Sequence, residues 1–126
     1  MRLLLDTHAF LWWVGDDRRL GPEARAAISN PDNVIWVSAA TGWEIAIKRA
    51  KGKLTAGDIE ASIDENRFRA LAIEVVHGIA AGNLPPHHRD PFDRVLIAQA
   101  QHESLSVVTD DNAFQAYDIE IVPAGR

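Results

Sequence analysis

The chain contains no cysteine, so disulfides and thiolate metal sites are excluded. No apolar run approaches the ~20 residues that span a bilayer, so no membrane segment is expected. Met1-Arg2-Leu3 leads straight into a strand-like run, without the long apolar region and small-residue cleavage site of a signal peptide. These absences fit a cytoplasmic protein. The histidines form neither an H-x-x-x-H nor an H-E-x-x-H pair, which argues against zinc. No serine stands in a G-x-S-x-G context, and no glycine-rich phosphate loop is present. Positive charge is also short: 13 basic against 18 acidic residues give a net charge of −5. That argues against nucleic-acid affinity through overall charge, but not against a nuclease whose carboxylates are neutralised by metal.

The 126 residues suit one domain, taken as 1–126, large enough to bury roughly two-thirds of its unfolded surface without staples. Strand-like runs alternate with helical patterns. Residues 2–5 read as a buried strand, and a helix through Phe10, Leu11 and Val14 is broken at Gly15-Asp16-Asp17. Pro22 opens a second helix, Val34–Val37 is the next strand, and 39–51 is a helix stopped by Gly52. Asp58–Phe68 reads as a helix, Leu71–Val76 as a third strand and His77–Gly82 as a short helix. A Pro-rich loop over Asn83–Asp90 precedes the clearest helix, Pro91–His102. Ser106–Thr109 is a fourth strand, followed by a short helix through Phe114 and Tyr117 and a last strand at Ile119–Val122. Such alternation with uniformly apolar strands predicts an α/β fold on a parallel sheet covered on both faces. In such sheets ligands collect beyond the carboxyl ends of the strands.

Four carboxylates are poorly explained as surface residues. Asp6 ends Leu3-Leu4-Leu5, where it reads either as a helix N-cap or, with Thr7 capping instead, as a free ligand. Glu44 interrupts the apolar stretch Ala39–Ile47, although Lys48 one turn on offers it a simple surface ion pair. In Asp90-Pro91-Phe92-Asp93 the first residue suits the N-cap and Asp93 the third helical position, as in a capping box. Asp93 nevertheless shares a stripe with Leu96, Ile97 and Ala100, which aims it inward at the sheet's edge. Asp110 and Asp111 both follow the fourth strand, and periodicity does not choose between them. Converging carboxylates without a nucleophile motif point to a hard cation. Two basic groups, Lys48-Arg49 with Lys51 and Lys53, and His87-His88-Arg89, read either as solvated ends or as phosphate contacts. The four tryptophans read as core or interface.

These residues resemble the PIN-domain proteins, specifically the VapC-type toxins of bacterial toxin–antitoxin pairs. The likeness is carried by Leu4-Leu5-Asp6-Thr7-His8 with Leu11-Trp12-Trp13, and by Val37-Ser38-Ala39-Ala40 with Trp43-Glu44-Ile45-Ala46-Ile47-Lys48. It continues through Leu84-Pro85-Pro86-His87-His88-Arg89-Asp90-Pro91-Phe92-Asp93-Arg94 with Leu96–Ala100, and ends on Val108-Thr109-Asp110-Asp111 with Phe114 and Tyr117. The block around Asp90–Ala100 is the most specific, and Thr-x-Asp alone is weak.

The resemblance places an acidic quartet on Asp6, Glu44, Asp93 and Asp111, choosing Asp111 over Asp110. It implies a central parallel sheet of about five strands, RNA cleavage dependent on Mg²⁺ or Mn²⁺, a homodimer and a small antitoxin partner. Asp6 and Asp93 are the leading metal ligands. Asp111 and Glu44 are expected to hold a second ion or orient the attacking water. Ser38 and Thr109 are expected to hydrogen-bond behind the ligands, and Arg94, Lys48 and Arg49 to contact RNA phosphates. The alternatives are a non-catalytic module or a phosphoacceptor receiver domain. A receiver needs an acceptor Asp after a central strand and a Lys after the last, whereas the second strand ends at Ser38 and the last runs into Pro123-Ala124.

Overall fold

The computed structural model describes residues 1–54 and 57–125. The elements run β1 (Arg2–Leu5), α1 (Thr7–Val14), α2 (Pro22–Ser29), β2 (Val34–Ser38), α3 (Ala39–Ala50), α4 (Ile59–Glu65) and β3 (Arg69–Leu71). Then follow α5 (Val75–Asn83), α6 (Pro91–Glu103), β4 (Ser106–Thr109), a 3₁₀ turn over Asn112–Ala116, and β5 (Ile121–Pro123). The five strands form one parallel sheet in the order β3-β2-β1-β4-β5. This is the expected α/β architecture, and it departs from the receiver order 2-1-3-4-5. None of the described helices is long and apolar enough to cross a membrane.

Strand alternation divides the core. Leu3, Leu5, Ile35, Val37, Val108 and Val122 face Phe10, Ala24, Ile28 and Ile45 on one side. Leu4, Val107 and the partly buried Trp36 and Ile121 face Leu96, Ile97, Ala100 and Phe114 on the other. Two apolar layers bury the sheet on both faces, which is why its strands read as continuous apolar runs. Since β1 feeds leftward to β2 while β4 returns on its other side, the chain switches direction between β1 and β4. The Asp6 N–H donates to Val108 O at 3.1 Å across that junction.

Two boundaries differ most from expectation, and the last strand begins at Ile121 instead of Ile119. The third strand covers Arg69–Leu71 rather than Leu71–Val76, and Val75 and Val76 belong to α5. The β-branched pair suggests a strand, but helix-start chemistry prevails: the Glu74 N–H donates to His77 Nδ1 at 2.9 Å, satisfying a donor at the helix entry. Likewise α4 stops at Glu65 instead of reaching Phe68. Arg67 takes a left-handed φ of 58°, which turns Phe68 into the core against Phe10 and Trp13.

Candidate metal centre

Asp6 sits at the carboxyl end of β1 and does two things at once. Its Oδ1 accepts the Ala9 N–H at 2.8 Å, which caps α1. Its Oδ2 accepts the Thr109 hydroxyl at 2.6 Å. Asp6, not Thr7, is therefore the N-cap, and capping uses only Oδ1, so a ligand role would fall to Oδ2 beside its bond from Thr109. Burial raises the Asp6 pKa above the usual carboxylate range, opposed by the Thr109 and Ala9 hydrogen bonds.

Asp93 is free of capping duty. The Asp90 Oδ1 accepts both the Phe92 N–H at 2.8 Å and the Asp93 N–H at 3.1 Å, so Asp90 alone starts α6. The Asp93 side chain turns to the sheet junction, where burial pushes its pKa up to about 8, followed by repulsion from Asp90, Asp6, Glu44 and Asp111. Asp111 follows β4. Its Oδ1 accepts the Ala113 N–H at 2.9 Å and its own N–H donates to the Thr109 hydroxyl at 3.0 Å. Thr109 thus links Asp6 to Asp111.

Glu44, buried on α3, accepts the Thr7 hydroxyl at 2.6 Å through Oε1 and the Lys48 ammonium at 2.7 Å through Oε2. The surface-pair reading holds for one oxygen only. The other is tied to the residue beside Asp6, and its charge is felt at Asp93. Ser38 caps α3, its hydroxyl accepting the Ala40 N–H at 3.0 Å.

His88 completes the cluster. Its Nε2 lies 2.9 Å from Asp93 Oδ2 and 3.1 Å from Asp111 Oδ2. One donor atom from each of His88, Asp93 and Asp111 can be chosen so that all lie within 4.8 Å of one another. Asp93 and Asp111 beside His88, with Thr109 tying Asp111 to Asp6, at the switch point of a parallel sheet suit a divalent cation. Oxygen donors dominate, and a 2+ charge would offset the burial and repulsion that push the Asp93 pKa up.

A PIN domain family model matches residues 3–120. The chain belongs to the PIN-domain family. Solved structures similar to this PIN domain include VapBC2 from Rickettsia felis bound to a promoter DNA fragment (14% identity, 96% of this chain and 97% of that one, TM-score 0.69). A toxin–antitoxin complex from Klebsiella pneumoniae is 18% identical over 97% of both chains (TM-score 0.65). VapBC-1 from nontypeable Haemophilus influenzae is 19% identical over 96% of both (TM-score 0.63). The comparison with curated proteins returns no match.

In this PIN domain one residue expected to contact phosphate, Arg94, also has a structural role. The Arg94 guanidinium donates from Nη1 to the carbonyls of Pro85 and His88, both at 3.1 Å. From Nη2 it donates to Ala81 at 2.7 Å and Leu84 at 2.9 Å. Its four terminal N–H groups close the end of α5 and the loop carrying His88, a geometry a planar fork can meet. Lys48 is held by Glu44, and Arg49 donates to Gly57 O at 3.2 Å.

Sequence reasoning offered His88 only as a possible phosphate contact and missed its place between Asp93 and Asp111, because it has no spaced partner in the chain. Its neighbourhood to Asp90-Pro91, a helix start aimed at the site, was the available signal. It also overlooked the cleft wall. An open cleft of about 330 Å³ beside Asp6 and Asp111 is lined by His8, Trp12, Arg19 and Asp110. Trp12 stands there between the His8 ring, 5.9 Å away, and the Arg19 guanidinium, 5.2 Å from its centroid.

Proposed function

We propose that this PIN domain is a metal-dependent endoribonuclease, the toxin of a toxin–antitoxin pair, cutting RNA phosphodiester bonds with Mg²⁺ or Mn²⁺. The observation that carries the reading is that Asp93 and Asp111 share His88 Nε2 while Thr109 ties Asp111 to Asp6 at the β1–β4 junction, with an Asp93 carboxyl pushed up to about 8. A site that disfavours its own charge in isolation is built for a cation. When bound, the ion would supply activation of water and stabilisation of charge on the phosphate.

Asp6, Asp93 and Asp111 hold the ion in this reading, and Glu44 orients the attacking water. Thr109 keeps Asp6 and Asp111 in register, while Ser38 supports the site from the α3 cap. Arg19, Trp12 and His8 border the cleft through which an RNA strand reaches the acids, the ring faces suiting bases and the guanidinium a phosphate. Lys48 and Arg49 lie on α3 as further cations for the backbone.

The antitoxin is supported by the similar structure from Klebsiella pneumoniae, a toxin–antitoxin complex. The homodimer is supported by α5, where Val75 and Ile79, one turn apart, are 80% and 61% exposed.

Incubation of purified protein with RNA tests the reading. Cleavage stopped by EDTA, restored by Mn²⁺ and absent in Asp93→Asn is expected. Cleavage that persists in EDTA, or in Asp93→Asn, removes the site from the reaction. No metal-dependent cleavage by the wild type, with the metal still bound, favours the non-catalytic alternative.

A further inference from the structure

His88 is more deliberately placed than a loop residue needs to be. Its carbonyl accepts from Arg94 at 3.1 Å, and its N–H donates to the Tyr117 hydroxyl at 2.9 Å. That hydroxyl in turn donates to Pro85 O at 2.6 Å. The His88 ring rests edge-on against Phe114, 5.7 Å between centroids. Backbone and ring are therefore both fixed before any ligand arrives.

The ring nitrogens have distinct roles. The Asp90 N–H points at His88 Nδ1 at 3.3 Å. A backbone N–H can only donate, so Nδ1 must present its lone pair, and the ring proton belongs to Nε2. Nε2 therefore donates toward Asp93 Oδ2 and Asp111 Oδ2, at 2.9 and 3.1 Å. A direct bond from Nε2 to a metal would need that proton moved to Nδ1, where it would face the Asp90 N–H.

We propose that His88 is a positioning residue of the metal centre: its Nε2–H holds the Asp93 and Asp111 carboxylates together from outside the coordination sphere and so sets the affinity for the ion. The proposal rests on the reading of these acids as a metal centre. It makes His88 a hydrogen-bond partner of two ligands, not a ligand. Such outer partners contribute about 10–100-fold in metal affinity.

The test is Mn²⁺ binding to the purified protein, followed by the loss of the free-ion electron paramagnetic resonance signal, with melting temperatures for each variant. His88→Leu is expected to bind Mn²⁺ about 10–100-fold more weakly. His88→Gln, whose amide N–H can replace Nε2–H, is expected to recover most of that loss. Pulsed measurements on wild-type protein with Mn²⁺ should show no nitrogen coupling of a directly bound imidazole. Unchanged affinity in a folded His88→Leu would overturn the proposal. So would a directly coupled imidazole nitrogen in the wild type that is lost in His88→Gln, a measurement that stands even if His88→Leu does not fold. If wild type and Asp93→Asn both fail to bind Mn²⁺, the metal-centre reading itself falls. Loss in Asp93→Asn with wild-type affinity in both His88 variants leaves that reading intact and removes His88 alone.

Discussion

The Thr109 hydroxyl donates to Asp6 Oδ2 across 2.6 Å, joining the ends of β4 and β1 between residues 103 positions apart. The Thr109 hydroxyl oxygen also accepts the Asp111 N–H at 3.0 Å, so one threonine fixes the spacing of two acids. Thr109→Val removes the hydroxyl without changing the shape. A buried hydrogen bond to an ionisable group is worth about 1.5–3 kcal/mol, so the metal-free fold should lose about that much in urea unfolding, while Thr109→Ser should lose less. Equal loss in the two variants would assign the effect to the methyl group instead of the hydroxyl.

Asp93 should oppose folding at neutral pH when no metal is present. Its folded-state pKa, pushed up to about 8, lies above the ordinary value of 3.8. The native state therefore binds a proton that the unfolded chain releases. The favourable contribution is fully present below about pH 4 and is lost as pH rises through about 8. Asp93→Asn, which cannot ionise, should melt higher than the wild type in EDTA, and the gap should widen by up to about 1.4 kcal/mol per pH unit across that window. Added Mn²⁺ should reverse the order by stabilising only the wild type. A gap that does not change with pH would show that Asp93 titrates normally.

Arg94→Lys separates a loop clamp from a phosphate contact. A lysine keeps the charge but lacks the planar fork that reaches the carbonyls of Ala81, Leu84, Pro85 and His88. The clamp predicts faster amide exchange over 84–90 and a loss of about 1–3 kcal/mol for carbonyls left unpaired. A phosphate contact would leave exchange and melting unchanged, and it would survive as lysine.

Which parts of this molecule could be read in advance follows from the range of the forces involved. Asp6 and Asp93 stood out because local patterns single them out: an apolar strand ending in an acid, and a Pro-opened helix with an inward stripe. Glu44 was legible only as an acid in an apolar setting, and its bond to Thr7 joins α3 to α1. His88 was not legible as a partner of the acids, because Asp111 lies 23 positions away and no periodicity connects them. The structural role of Arg94 was hidden for the same reason, since its carbonyl partners belong to the end of α5 and a loop whose path the sequence does not show. The third strand failed on a local contest, in which Val75-Val76 favours strand and the Glu74–His77 contact favours helix. The PIN resemblance supplied the choice of Asp111 over Asp110.

The exposed face of α5 should mark the contact between two copies. Val75 is 80% exposed and Ile79 61%, large values for β-branched aliphatic residues one helical turn apart. The double variant Val75→Lys, Ile79→Lys should convert a dimer seen by light scattering into a folded monomer. A wild-type monomer at micromolar concentration, or a dimer unaffected by the two lysines, would place self-association elsewhere or remove it.

Glu44 distinguishes a charge that acts on the site from an ordinary helix pair. Its ion pair with Lys48 at 2.7 Å involves a lysine side chain 39% exposed, so on its own it contributes about 0–1 kcal/mol. Its negative charge, however, is among the causes that raise the Asp93 pKa. Glu44→Gln keeps an oxygen for the Thr7 hydroxyl and removes the charge. Folding stability without metal should therefore change little. The Asp93 carboxyl should titrate at lower pH than in the wild type, read from its carbon-13 shift, because one of its repelling neighbours has gone. RNA cleavage should fall, because the acid expected to orient the attacking water has become an amide that cannot take up a proton. An unmoved Asp93 titration together with normal cleavage would reduce Glu44 to the helix pair that its spacing from Lys48 first suggested.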